Sequence, residues 1–363
     1  NFDHIPHEAV VNSEIRRHIV NLGNDGRLST NGRFQTDEQD VEEIVHEEFQ
    51  YRSQEWDKPR MLLYAHGGLN NEKSSATRVA SLRPFALTNE IYPLHFMWET
   101  GLGDTIRNIV ADAFNNRRFG GIWDHVKERL ADLADEAIEL ATRPLGKAIW
   151  GEMKENARLA SEDHGGADFV ASKLSEFVDQ GHELELHLLG HSAGSILLGY
   201  LLPEIDAWGL KVKTLTLYAP ACSIDLFRKN YLPYVGVNKC VERLTIFNLD
   251  DAGEKDDTVF GVYNKSLLYL VSEAFEPRQK SPILGINEHL KQDKEIRDFL
   301  GKPVYSRGTT VVYSKGGPGL KINSASTTHK GFDNDPNTLN STFRIIRGSN
   351  TLNKEVKQTK SGR

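Results

Sequence analysis

The stretch Glu185–Leu202, ELHLLGHSAGSILLGYLL, decides how the chain is read. Its first six residues are short, Leu-rich and bounded by a glycine, the pattern of a strand buried on both faces. Its second half, running on through PEI, has the apolar content of a buried helix, with Pro203 expected to end it. Between the two lies Gly190-His191-Ser192-Ala193-Gly194. A serine hydroxyl is a weak nucleophile near neutral pH and needs both exposure and an adjacent base. Glycines two positions either side let the backbone turn sharply from strand into helix and lift the serine out of the sheet. A Gly-x-Ser-x-Gly string also arises by chance, so the reading of Ser192 as a nucleophile stands on what the rest of the chain supplies.

Working outward, five more strand-like runs appear: RMLLYAH ending at His66, YPLHFMW ending at Trp98, KTLTLYAP ending near Ala219, RLTIFNL ending at Leu249 and GTTVVYS ending at Ser314. They alternate with helix-like segments, which predicts an α/β protein with a mainly parallel sheet flanked by helices. The segment HIVNLGNDGRLSTNGRFQ carries turn signals at Asn24-Asp25-Gly26 and Asn31-Gly32 and reads as short antiparallel strands at the sheet edge. A helix is expected from Thr36 to about Arg52.

Residues 101–165 break the alternation. Ile106, Ile109, Val110 and Ala113 form one helical stripe; Trp123, Val126, Leu130, Leu133, Ala137 and Leu140 form another, which Pro144 is expected to stop. Either this helical insert packs on the periphery or it caps the site above the strand ends, and the latter is favoured because ligands bind there. The chain therefore divides into residues 1–100 (an N-terminal elaboration and the first part of the core), the insert 101–165, the rest of the core 166–349, and a loose polar tail 350–363.

Composition narrows the function. The 363 residues are 39% apolar and 26% charged with a net charge of −7, which argues against a nucleic-acid or anionic-membrane surface. No apolar run is long enough for a transmembrane segment. Metal-binding patterns of the Cys-x-x-Cys or His-Glu-x-x-His kind are missing, which leaves little support for a zinc site. The two cysteines, Cys222 and Cys240, read as free thiols in a reducing compartment, which favours a cytoplasmic over a secreted protein. The start, NFDHIPHEAV, has no initiator Met and no signal-like apolar core, and reads as a processed or trimmed chain.

A nucleophilic Ser192 needs partners. His66-Gly67-Gly68 follows the first buried strand, where glycines let backbone N–H groups approach an oxyanion; Gly68 and Ala193 are the expected donors. Among the 13 histidines, His329 stands out, in the polar loop NSASTTHKGFDNDP after the last strand. Asp335 there reads as an N-cap with Pro336 at the first helical turn, and Gly348 as the helix stop. His191 is expected to point away, as the nucleophile's own neighbour. The acid that orients the base should follow a strand between Ser192 and His329. TIFNLDDAGEKDDTVF offers Asp250, Asp251, Asp256 and Asp257, and Asp225 lies after the preceding strand; Asp251, two residues past the strand end, is the first choice.

The order Ser192, Asp251, His329, together with HGG, GHSAG and HKGFDNDP, resembles the α/β-hydrolase superfamily of serine esterases and lipases over residues 58–348. That resemblance implies an α/β-hydrolase fold and cleavage of a small-molecule or lipid acyl ester through an acyl-enzyme, with Trp98, Phe114 and Trp123 as candidates for an apolar acyl pocket. The serine chemistry it implies needs no metal or organic cofactor. Thioesterase, amidase or peptidase activity would use the same triad. A non-catalytic binding module on the same fold is the alternative of another class.

Overall fold

The computed structural model describes residues 12–67, 72–98, 102–115, 127–259, 263–301, 309–314 and 321–357. Seven strands form one sheet: β1 Ile19–Leu22, β2 Arg60–Ala65, β3 Tyr92–Trp98, β4 Glu185–His191, β5 Val212–Tyr218, β6 Val241–Asn248 and β7 Thr309–Tyr313. Every pairing is parallel, in the order β1-β3-β2-β4-β5-β6-β7. β2 and β3 are buried along their whole length, as expected for strands covered by helices on both faces. All six expected strands are present.

The edge differs from expectation. β1 lies parallel to β3, and the Asn24-Asp25-Gly26 turn closes only a single antiparallel bridge between Leu22 and Leu28. Gly26 takes φ +76°, and a Cβ there would sit 2.4 Å from the Ala160 nitrogen, so the hairpin tip docks against the insert's last turn rather than growing into a second strand. The expected helix after Thr36 is present as Glu38–Glu42, a π-wound stretch Glu43–Phe49 and Gln50–Ser53, opened by a capping box between Asp37 and Asp40.

Among the described residues three prolines lie inside helices: Pro84 in Glu72–Thr88, Pro144 in Lys127–Ser161 and Pro203 in Gly194–Ala207. Neither Pro144 nor Pro203 ends its helix. Pro84 and Pro144 are exposed; Pro203 is half-buried, and the Gly199 carbonyl four residues before it accepts instead from the Asn230 amide at 2.9 Å. Packing then carries Lys127–Ser161 onward. Gly146 lies against the Phe275 ring, Trp150 Nε1 donates to Glu276 Oε1 at 2.7 Å, and Lys154 Nζ lies 2.9 Å from Glu276 Oε2. Of the apolar stripe expected on this helix, Trp123, Val126 and the side chains of Leu130 and Leu133 lie outside the described residues; Leu140 is exposed, while Asp135, Ile138, Glu139 and Thr142 face inward. Tyr263 donates to Glu139 and the Asn264 N–H to Asp135, which explains a polar inner face. The described part of the insert thus packs on the sheet-flanking helices Gly166–Asp179 and Gly194–Ala207 and on residues 263–281.

The tail expected to be loose is anchored through residue 357. Asn89 accepts from the N–H groups of Asn353 and Lys354 and donates to the Lys354 carbonyl, and Asn340 exchanges two bonds with Val356, which is buried. Two buried asparagine amides thereby satisfy a backbone that has no strand partner. Cys222 and Cys240 are buried free thiols. Among the described residues no helix is long and apolar enough to cross a membrane.

Candidate active site

The strand order fixes where a site can form. β2 leads to β3 on one side, whereas β4 leads to β5 on the other, so the segments leaving β2 and β4 diverge and open a crevice between their carboxyl ends. Ser192 stands at that point, directly after β4. Its φ is +52°, a left-handed conformation costly for a residue with a Cβ. The surroundings hold it there: Ser192 N–H donates to the Tyr218 carbonyl at 2.9 Å, and its own carbonyl accepts from the Ala221 N–H, the Ser195 N–H and the Ser195 hydroxyl.

Gly194 is sterically required, and Gly190 is tightly packed. A Cβ on Gly194 would lie 1.9 Å from the Ala65 carbonyl oxygen, and one on Gly190 would press on Leu198 and Leu217 at 3.0 and 3.1 Å. Gly67 passes over the serine: a Cβ there would be 3.3 Å from Ser192 Cβ. This turn is braced by His66, whose Nδ1 donates to the Gly67 carbonyl at 2.8 Å while Nε2 accepts from the Ser75 hydroxyl at 3.0 Å. The Trp98 indole donates to the His66 carbonyl, so Trp98 is a buried prop of the turn rather than a pocket wall. Ala193 is the N-cap of Gly194–Ala207, which points the start of that helix at the serine. Gly68, Trp123 and the side chain of Phe114 lie outside the described residues.

His329 Nε2 lies 2.9 Å from Ser192 Oγ. His329 opens the 3-10 turn His329–Asn334, which Asp335 and Pro336 join to the helix Pro336–Arg347, ended by Gly348 in the left-handed conformation, as the sequence predicts. Its backbone is held on both sides: the N–H donates to Asp257 Oδ2 at 2.8 Å, and the carbonyl accepts from His191 Nε2 at 3.0 Å. Burial pushes the His329 imidazole well below the ordinary histidine value of 6.5, and the His191 and Lys330 charges add to this against the opposing charge of Asp333. A neutral imidazole is the form that can accept a proton. His329 Nδ1 is buried and has no hydrogen-bond partner among the described residues.

The first-choice acid, Asp251, is not brought to His329. Asp251 bonds Asn287 at 2.7 Å and Lys291 at 2.5 Å, at the surface. Asp250 caps the short helix Asp251–Asp256, Asp225 pairs with Arg228, and Asp256 is exposed. Asp257, at the C-cap of that helix, is the carboxylate bonded to His329. The chain does not stop at the strand end but winds through the short helix Asp251–Asp256 before Asp257 reaches His329. The signal is present in the sequence as Asp250, an N-cap residue, followed by the acidic first turn Asp251-Ala252-Gly253-Glu254.

His191 also departs from expectation. It does not point away: Nδ1 lies 3.2 Å from Asp333 Oδ2, Nε2 lies on the His329 carbonyl, and the two imidazole centroids are 5.8 Å apart. Asp333 is buried, accepts from the Tyr64 hydroxyl at 3.2 Å and sits 3.1 Å from Arg78 Nη1, so its carboxyl is held well below the usual range despite burial. Beside His329, a cavity of about 170 Å³ is lined by Asp257, Thr258, Val259, Leu267, Thr328 and Lys330. Among the described residues no three metal-ligating side chains converge. No known protein family matches the chain, and no curated protein matches it in sequence.

Proposed function

We propose that the protein is a serine hydrolase of α/β-hydrolase architecture that cleaves a carboxylic ester through an acyl-enzyme. The observation that carries this reading is the 2.9 Å contact between Ser192 Oγ and His329 Nε2, made by a serine at positive φ where the strand order opens a crevice.

In the proposed reaction His329 Nε2 takes the Ser192 proton as Oγ attacks the acyl carbonyl. The Ala193 N–H and a backbone N–H at Gly68 hold the oxyanion. His329 then gives its proton to the leaving alkoxide, and the alcohol departs. Water, deprotonated by the same nitrogen, attacks the acyl-serine, and the proton returns to Ser192 as the carboxylic acid leaves. Asp257 replaces Asp251 as the proposed acid. Its carboxylate already accepts the His329 backbone N–H; in the proposed reaction it takes Nδ1–H, where it would orient the ring and stabilise the imidazolium. The cavity beside His329 suits a short substituent of the substrate.

The unpartnered Nδ1 supports a second reading, a hydrolase-like module that binds without turnover. Hydrolysis of short-chain aryl esters separates the two. The proposal expects turnover that Ser192→Ala lowers by about 10⁴-fold or more. Equal rates for the wild type and Ser192→Ala would support the binding module. Thioesters, amides and peptides compared against esters of matched acyl length identify the leaving group.

A further inference from the structure

The two histidines flanking the serine turn have opposite hydrogen-bond environments. His66 has one acceptor, the Gly67 carbonyl, and one hydroxyl, Ser75, that can donate to it; a neutral ring satisfies both, in keeping with a pKa lowered by burial to about 4. His191 meets acceptors on both nitrogens. Nε2 faces the His329 carbonyl, which has no hydrogen to give. Nδ1 faces Asp333 Oδ2, and that carboxylate is ionised: Arg78 lies beside it and Tyr64 donates to the same oxygen. A neutral imidazole can donate from only one nitrogen. Both contacts are therefore made only by a ring that carries two N–H groups.

We infer that Asp333 holds His191 as an imidazolium, and that His191 is a positioning residue for His329: one N–H fixes the His329 backbone, and the charge keeps the neighbouring imidazole neutral and ready to accept the Ser192 proton. Two like charges with ring centroids 5.8 Å apart in a buried site oppose each other strongly, so a charged His191 disfavours charging His329. The other titratable groups facing His191 are Asp333 and His329 on the 3-10 turn, Tyr64 on β2, His66 after it, Arg78 on Glu72–Thr88 and Tyr218 on β5. Asp333 is the anion that offsets the His191 charge. The kinetic half of this inference rests on His329 being the base of Ser192; the protonation half does not.

The test has two arms. In the first, the wild-type protein with ¹⁵N-labelled histidine is examined by NMR at pH 7 to 8. The expected spectrum has one ring with both nitrogens protonated, assigned to His191 by its loss in His191→Gln and by its discharge in Asp333→Asn. A His191 ring protonated on one nitrogen only overturns the inference, whatever the activity.

In the second arm, the rate of Ser192 labelling by a fluorophosphonate is followed against pH. Asp333→Asn keeps the size of the side chain, and the new amide can donate to a neutral Nδ1 at the cost of the bond that Tyr64 gives to the same oxygen; circular dichroism and a melting curve check that the variant is folded. With the His191 charge removed, the acid limb of the labelling profile should move up by about 1 to 2 pH units. A profile lowered at every pH with its acid limb unmoved would mean that the pair only packs, and would overturn the positioning role. A wild type that takes no label would sink the hydrolase reading, and the NMR arm alone would then decide the imidazolium.

Discussion

Glu254 offers a sharp stability test close to the site. It lies on Asp251–Asp256, the helix whose C-cap is Asp257, and is 1% exposed. Among the described residues neither carboxyl oxygen has a hydrogen-bond partner; Ser266 faces it outside hydrogen-bond geometry. Burial, reinforced by the charges of Asp257, Asp250 and Asp251, pushes its pKa from 4.5 up to about 8. The folded protein therefore keeps a proton that the unfolded chain releases, so stability falls as pH rises from 4.5 to about 8 and is flat beyond. At about 1.4 kcal/mol per pH unit, this interval removes roughly 5 kcal/mol. Glu254→Gln retains the shape of the neutral acid and cannot ionise. Urea unfolding of both proteins at pH 5 and pH 8 should show the variant gaining about 4 kcal/mol on the wild type between the two. Parallel pH dependences would refute the reasoning and place Glu254 among hydrated groups.

Four further outcomes follow from the geometry. Asp257→Asn should lower ester turnover by about 10³- to 10⁴-fold, while Asp251→Asn changes it by less than about threefold; the reverse order, read in a steady-state assay, would restore Asp251 as the acid. Because burial lowers the His329 pKa, the acid limb of a kcat/KM profile should lie below 6.5, with activity lost only as pH falls further. Gly194→Ala drives a methyl into the Ala65 carbonyl and should cost more than about 3 kcal/mol in urea unfolding, or abolish soluble expression. Removing residues 350–363 strips Val356 and the Asn89 and Asn340 clamps, and should lower the melting temperature by roughly 3 °C or more; an unchanged Tm would show that the tail contributes nothing.

The parallel sheet, the serine elbow, the His66-Gly67 turn and the His329 loop were legible in the sequence because each rests on local rules: apolar runs bounded by glycine, and a proline following an Asp cap. What misled were features set by partners distant along the chain. Pro144 and Pro203 look like helix ends until the packing of Trp150 and the Asn230 amide on the Gly199 carbonyl are known. Leu140 looks like core until Tyr263 is seen donating to Glu139. Asp251 precedes Asp257, but a short capped helix turns the first toward Lys291 and the second toward His329. His191 reads as a bystander because its partner, Asp333, lies 142 residues away. Side-chain electrostatics of this kind leave no periodic trace.

The central claim is tested most directly by treating the protein with a fluorophosphonate and mapping the adduct by peptide mass spectrometry. The account predicts one phosphonylated residue, Ser192, with labelling abolished by Ser192→Ala and strongly slowed by His329→Ala. An unlabelled protein, or an adduct on any other residue that survives Ser192→Ala, would contradict it.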